Sequence, residues 1–123
     1  MNIDRDAPLD WFLANRHAEI PLYVVILEPT ETCPPPGSDE FAAVLREHFV
    51  YWWELEARGV LVGAGPRGEG SGMALLRAAS RDAAERLAAN EPFATRGFRR
   101  NTVHEWQLNE GLLVGLLSTT PGG

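Results

Sequence analysis

The clearest pattern in the chain is an apolar stripe at helical spacing between residues 40 and 59. Its members follow one another at steps of three or four residues, so they share one face of a helix. The stripe consists of Phe41, Leu45, His48, Trp52 and Leu55, widened by Val44 and Tyr51. Ser38 is a suitable N-cap, and Gly59 suits the left-handed position that ends many helices. The pattern predicts a long helix that carries a titratable side chain, His48, on its core-facing side.

Short apolar runs bounded by proline and glycine predict four strands. They lie at residues 21–28, 60–64, 73–77 and 98–107. The glycine-rich stretch 65–72 joins two of these strands, which favours a hairpin loop over a phosphate-binding loop. Further helices are predicted at residues 81–89, after the N-cap Ser80, and at residues 8–18, where Trp11 and Phe12 need a packing partner. The apolar stretch 111–118 is predicted to be a short tail.

The order strand, helix, strand, strand, helix, strand is typical of ferredoxin-like α+β folds with a four-stranded antiparallel sheet. Right-handed crossovers place both helices on one face, so the other face is apolar and open. A homodimer that stacks two sheets would cover that open face. Alternatively, the terminal segments would cover it themselves or extend the interface. We expect an N-terminal extension with a short helix at residues 1–20, the main domain at 21–107 and a C-terminal tail at 108–123.

Composition narrows the range of partners and compartments. The 123 residues carry a net charge of −6, which argues against nucleic-acid binding, because phosphate contacts need a concentrated basic surface. Cys33 is the single cysteine, so a thiolate zinc site is excluded, and the three dispersed histidines lack metal-ligand spacing. No apolar run approaches the ~20 residues of a membrane span. Asp4, Asp6 and Asp10 speak against a signal peptide, so the predicted location is cytoplasmic, without membrane contact.

Two separated motifs resemble the YciI-like (YCII-related) proteins. The first is the run from His48 to Gly59 followed by VLVGAGP, and the second is ANEPFATRGF at residues 89–98. Trp106 resembles the aromatic end of the family's Pro-Trp or Pro-Phe finish. The resemblance covers roughly residues 22–107. It implies a ferredoxin-like domain that forms a dimeric α/β barrel, with a histidine–aspartate pair in a cleft near the dimer interface.

The resemblance also implies site residues. The family histidine falls on His48, and the acid of its Asp-Pro-Phe motif falls on Glu91, one methylene longer than aspartate. The family's arginine a few residues before the histidine has no match, because Arg46 is only two positions away and on another face. The expected substrate-binding residues are Tyr51, Trp52, Pro66, Phe93, Arg96 and His104. No metal or cofactor is expected. One family member acts as a dehydrochlorinase, and most members have no assigned reaction.

Two classes of function follow from the residues. If Glu91 accepts a hydrogen bond from Nδ1 of His48, the other ring nitrogen can remove or deliver a proton. This predicts a cofactor-free lyase or isomerase, with Arg96 or Arg99 near an anionic substrate. Alternatively, His48 is a core histidine bonded to the backbone, and Glu91 is a solvated carboxylate at a helix end. The protein is then a non-catalytic dimeric module that binds a small ligand or another protein. An oxygenase, a third class, would show flavin, haem or oxygen use by spectroscopy.

Overall fold

The structure is a computed structural model that describes residues 3–15, 20–68 and 70–118. Its elements in chain order are α1 (Leu9–Ala14), β1 (Ile20–Pro29), α2 (Asp39–Ala57), β2 (Leu61–Pro66), β3 (Gly72–Leu76), α3 (Arg81–Ala89), α4 (Pro92–Thr95), β4 (Arg99–Leu108) and α5 (Leu112–Leu117). The four strands form one antiparallel sheet in the order β2-β3-β1-β4. The predicted ferredoxin-like α+β fold is therefore confirmed. None of the helices in the described ranges is long and apolar enough to cross a bilayer.

Helix α2 begins and ends at the predicted signals. The Ser38 hydroxyl accepts a hydrogen bond from the Phe41 N–H at 3.1 Å, and Gly59 has a φ of 75° just after the helix. The buried residues of α2 are Phe41, Val44, Trp52 and Leu55. His48 lies between them, with its side chain 12% exposed. The stripe therefore packs against the sheet as its spacing predicts.

The two faces of the sheet are covered differently. On β1, Val25 and Leu27 point toward α2 and α3, where they pack with Trp52 and Ala84. Because side chains alternate along a strand, Leu22 points to the opposite face, where it packs in a separate cluster with residues of α5. This second face is the one that the sequence predicts to be open.

Part of that face is covered by the chain itself. Residues 112–117 form the helix α5, whose Val114 is buried against Leu22 and Leu108. The predicted tail is therefore partly a helix that packs on the sheet. Met73 and Trp106, on the same face, are still 43% and 45% exposed. The apolar face is thus smaller than expected.

The segment between α3 and β4 differs from the prediction. The sequence Glu91-Pro92 ends α3 as expected, but it also starts the short helix α4. Phe98, predicted as the first residue of the fourth strand, instead donates its N–H to the Phe93 carbonyl and is buried with Phe93 and Phe41. The Phe98 carbonyl still accepts a hydrogen bond from the Thr30 N–H at 2.9 Å, next to the end of β1. Because its own N–H is used within the α4 turn, regular strand pairing begins one residue later, at Arg99.

Helix α1 is shorter than predicted. It ends at Ala14, and Arg16, His17 and Ala18 of the predicted helix lie outside the described residues. No residue of α1 is buried, and Trp11 and Phe12 remain 41% and 37% exposed. Their rings pack edge to face against each other, with centroids 5.1 Å apart. Trp11 and Phe12 therefore pack on each other, and neither is buried in the core.

Candidate functional site

The position of Glu91 is set by its local sequence. Glu91 is the N-cap of α4, and Pro92 occupies the first helical position, where the missing N–H has no cost. The Glu91 carboxylate accepts hydrogen bonds from the N–H groups of Phe93 and Ala94, both at 3.2 Å. The side chain is fully buried, with 0% exposure. The alternative prediction of a solvated carboxylate is therefore wrong, because the cap turns the side chain inward, between α2 and β4.

His48 and Glu91 are in contact. Nδ1 of His48 forms a hydrogen bond with Oε1 of Glu91. On the other carboxylate oxygen, Oε2, the Asn101 side-chain amide donates a hydrogen bond at 3.2 Å, while it also donates to the Ala88 carbonyl at 2.9 Å. With the Phe93 and Ala94 N–H groups, the carboxylate thus accepts four hydrogen bonds, which fills its lone-pair positions.

These contacts decide the charge of Glu91. Burial raises the pKa of the carboxyl group, but the hydrogen bond and charge of His48, the Phe93 N–H and the Asn101 amide together outweigh it and lower the pKa below its usual value. Glu91 is therefore ionised at neutral pH. Since an ionised carboxylate only accepts hydrogen bonds, Nδ1 of His48 carries the proton. In the neutral imidazole the lone pair is then on Nε2.

The lowered pKa of Glu91 predicts a loss of stability in acid. The unfolded chain binds a proton at about pH 4.3, whereas the folded state binds it only at lower pH. The stabilisation is thus complete above about pH 4.3 and is lost as the pH falls through the folded pKa. We expect the free energy of unfolding, measured with urea at several pH values from 6 down to 3, to decrease once the pH drops below about 4.3. In Glu91→Gln the same curve should be flatter, and an unchanged slope would contradict the assignment.

Beside the pair lies a cleft of about 320 Å³ between α2 and the hairpin of β2 and β3. Its walls are mostly apolar and aromatic. The lining residues are Leu27, Leu45, His48, Phe49, Trp52, Trp53, Glu56, Leu61, Gly63, Ala64, Gly65, Pro66, Ser71, Gly72, Met73 and Arg99. The volume lies at the lower end for small-molecule sites. His48 therefore borders a space that a small organic molecule can occupy.

Comparison with models of known protein families gives a match for this chain. A family model described as the YCII-related domain matches residues 22–107, which include both His48 and Glu91. The chain belongs to the YCII-related family. The predicted resemblance is thereby confirmed over the same residues.

A solved structure shares the fold of this YCII-related chain. It is the 5-chloro-2-hydroxyhydroquinone dehydrochlorinase of Burkholderia phenoliruptrix in complex with 2,5-dihydroxybenzoquinone, with 22% sequence identity and a TM-score of 0.52. The similarity covers 69% of this chain and 92% of the dehydrochlorinase. At this identity it shows a common fold only. Among curated proteins, no relative matches the chain.

Two of the predicted substrate-binding residues, Trp52 and Pro66, line the cleft of this YCII-related protein. A third, Phe93, does not line the cleft but is fully buried and packs on His48, with ring centroids 4.9 Å apart. The Trp52 ring meets the imidazole edge on, at 5.8 Å. These rings fix the orientation of His48 from two sides.

The other three predicted residues lie elsewhere. Tyr51 donates a hydrogen bond to the Leu87 carbonyl at 2.6 Å. Its pKa is raised by burial and by the charge of Glu91, which together outweigh the lowering effect of Arg58. Arg96 pairs with Glu47 at 3.0 Å on the surface. His104 is exposed on the second face of the sheet, where its Nε2 is 3.2 Å from the Thr102 hydroxyl.

Three residues of the site are missing from the sequence prediction. Asn101 holds Glu91 from β4, and Phe49 and Trp53 stack at the cleft rim with centroids 5.4 Å apart. The spacing of Phe49 and Trp53, four residues on one helix, is a signal that could have found them. For Asn101, the alternation of β4 indicates the face on which it lies, but nothing in the sequence indicates its contact with Glu91. Within the described residues, no group of three or more His, Cys, Asp or Glu side chains is placed to hold a metal ion.

Proposed function

We propose that this YCII-related protein is a small-molecule enzyme of the lyase or isomerase type, in which His48 moves a proton. The observation that carries the proposal is the hydrogen bond between His48 and the buried Glu91 at the wall of an apolar cleft. It fixes the tautomer with the lone pair on Nε2, which is the arrangement that a general base needs. Glu91 keeps its negative charge and stabilises the imidazolium that forms.

The reaction begins when Nε2 removes a proton from a carbon beside a carbonyl group. The electron pair of the broken C–H bond becomes the new double bond. In an elimination, a leaving group such as chloride departs with its bonding electrons, and the proton passes from Nε2 to solvent. In an isomerisation, Nε2 returns the proton to another carbon of the same conjugated system. Neither route requires a cofactor.

The proposal is tested by incubating the protein in D2O with small carbonyl and halogenated acids. The panel also includes a halogenated phenol, 5-chloro-2-hydroxyhydroquinone, because a protein with the same fold acts on it. Its keto tautomer has a C–H bond beside a carbonyl group, although it carries no carboxylate. We expect deuterium incorporation detected by NMR, or chloride release detected by ion chromatography, at rates above a buffer control. If no compound of the panel is turned over, the binding-module function is favoured.

A specific observation supports that second function, a non-catalytic dimeric module that binds a small ligand or another protein. On helix α1, Leu9 and Leu13 are 70% and 52% exposed, and no residue of the helix is buried. Such unburied apolar side chains are typical of surfaces that bind a partner. The module predicts that His48→Ala alters stability or ligand affinity, and that no turnover exists to be lost. A cytoplasmic location and the assignment of residues 21–107 as the functional domain stay predictions.

We further propose a homodimer through the second face of the sheet, where Trp106 and Met73 remain exposed. His104 lies on this face as well, since it pairs with Val24 in the register of β1 and β4. We expect light scattering to give twice the chain mass of 13.6 kDa, and Trp106→Glu to give the monomer. Trp53→Glu is the matched control, because Trp53 is 62% exposed on α2 away from this face. A monomeric wild type, or dissociation by Trp53→Glu alone, would contradict the proposal.

A further inference from the structure

Arg99 lies beside the catalytic pair at the start of β4. It lines the cleft, and its Cζ lies 4.3 Å from the centroid of the Phe93 ring. A Cβ atom placed on Gly72, which also lines the cleft, would be 3.8 Å from Nη1 of Arg99. The guanidinium is therefore held between the Phe93 ring and the β3 end of the cleft.

The Arg99 guanidinium donates no hydrogen bond to any residue that the structure describes. Its Nε is buried without a hydrogen-bond partner, and no ion pair of Arg99 occurs in the described part of the chain. The nearby charge of Glu91 is not its partner, because the four acceptor positions of that carboxylate are taken by His48, Phe93, Ala94 and Asn101. A buried unpaired donor is costly, and Nη1, which lies beside the cleft residue Gly72, is the nitrogen that an acceptor of a ligand in the cleft would approach.

The charge of Arg99 persists in this setting. Burial lowers the pKa of the guanidinium, whereas the negative charge of Glu91 raises it. The net effect lowers the pKa of Arg99, but a guanidinium starts so far above neutrality that it stays protonated at neutral pH. The planar N–H groups of a guanidinium match the two oxygens of a carboxylate in one plane. A lysine at this position would offer the charge without that geometry.

We propose that Arg99 binds the carboxylate of the substrate, which is a small planar organic acid. This deepens the proposed function and rests on it, because the bound acid is taken to be the molecule that His48 deprotonates. Both side chains contact Phe93, so the carboxylate and the reacting carbon lie within the length of one small molecule. Glu56 also lines the cleft, and its negative charge would repel a carboxylate. It is eight residues from His48, or about 12 Å along α2, so this repulsion is weak near the His48 end of the cleft.

The test measures binding rather than turnover. Benzoate is the probe and benzamide its neutral counterpart, titrated into the full chain at low salt by NMR. We expect benzoate to bind more tightly than benzamide, and Arg99→Gln to lower the benzoate affinity about 10- to 100-fold, the value of a hydrogen bond to a charged group. The benzoate affinity of Arg99→Lys should lie between those of the wild type and Arg99→Gln. Arg96→Gln, which changes a surface arginine paired with Glu47, should bind benzoate like the wild type.

Gly72→Ala gives a second test that leaves Arg99 in place. The added methyl would meet the Gly65 carbonyl at 3.5 Å and Nη1 of Arg99 at 3.8 Å, so it fits the fold but occupies the space beside the guanidinium. We expect weaker benzoate binding, whereas Gly37→Ala, which lies outside the cleft and whose Cβ meets no atom within 4 Å, should have no effect. Unchanged benzoate binding in folded Arg99→Gln or Gly72→Ala, or equal affinity of the wild type for benzoate and benzamide, would overturn the proposal.

The two proposals fail in different ways. If the carboxylate site exists but His48 is not a base, Arg99→Gln still weakens benzoate binding while no compound exchanges its protons. If His48 is a base but Arg99 does not bind the acid, turnover is found and benzoate binding is indifferent to position 99.

Discussion

Replacing Glu91 with alanine is expected to lower the free energy of unfolding by about 3–5 kcal/mol, the usual cost of breaking a buried charge pair from one side. The change removes the acceptor of four hydrogen bonds and the N-cap of α4. The N–H groups of Phe93 and Ala94 and the amide of Asn101 are then left in the protein interior without that acceptor. Urea unfolding at pH 7, monitored by tryptophan fluorescence, measures the loss.

Two controls separate the causes of this loss. Glu91→Gln keeps an oxygen that can accept from the α4 backbone but removes the charge, so its loss should be smaller than that of the alanine variant. Glu47→Ala breaks an ion pair in which Glu47 and Arg96 are each about half exposed, and we expect less than about 1 kcal/mol. If Glu91→Ala cost no more than Glu47→Ala, Glu91 could not be the buried anchor that the structure shows.

The fold could be predicted because its signals are local. The stripe on α2 repeats at a helical period, and Ser38 and Gly59 mark its ends, so the orientation of His48 toward the core follows from spacing alone. The Glu91-Pro92 step predicts the end of one helix. That it also begins α4 depends on the burial of Phe93 and Phe98 in one cluster, which is a tertiary effect that spacing does not carry.

The prediction that His48 pairs with Glu91 rests on a family resemblance, because the two residues are 43 positions apart in the sequence. Contacts between distant elements leave no periodic trace in one sequence. Asn101 was missed for this reason: it meets Glu91 only because α4 turns the carboxylate toward β4. The alternation of β4 could have found the side on which it lies, since Asn101 and Val103 differ by two positions and share a face.

The same alternation separates the predicted residues His104 and Arg99. His104 differs from Val103 by one position and therefore points to the opposite face of the sheet from the cleft. Arg99 differs from Val103 by four positions and lies on the helix side, where it lines the cleft. Arg96 precedes the strand, so no period applies to it, and its ion pair with Glu47 is again a contact between distant segments.

The largest effect on catalysis is expected for His48→Gln. A positioned general base contributes about 10²- to 10⁴-fold to a rate, so proton exchange or chloride release in the responsive compound should fall by that factor. Glutamine can still donate a hydrogen bond to Glu91, so the free energy of unfolding should fall by only about 1 kcal/mol. The measurement compares kcat for both proteins with the same compound at pH 7.

The matched control is His104→Gln, which makes the same change at an exposed histidine on the other face of the sheet. It should leave kcat unchanged. Equal rates for wild type and His48→Gln would show that the imidazole does not move the proton, even if the hydrogen bond to Glu91 is intact. A loss of rate accompanied by a loss of stability as large as that of Glu91→Ala would instead assign His48 a structural role. Glu91 accepts four hydrogen bonds, and His48 supplies only one of them. A catalytic role for His48 therefore predicts that His48→Gln lowers the rate strongly and the free energy of unfolding only slightly.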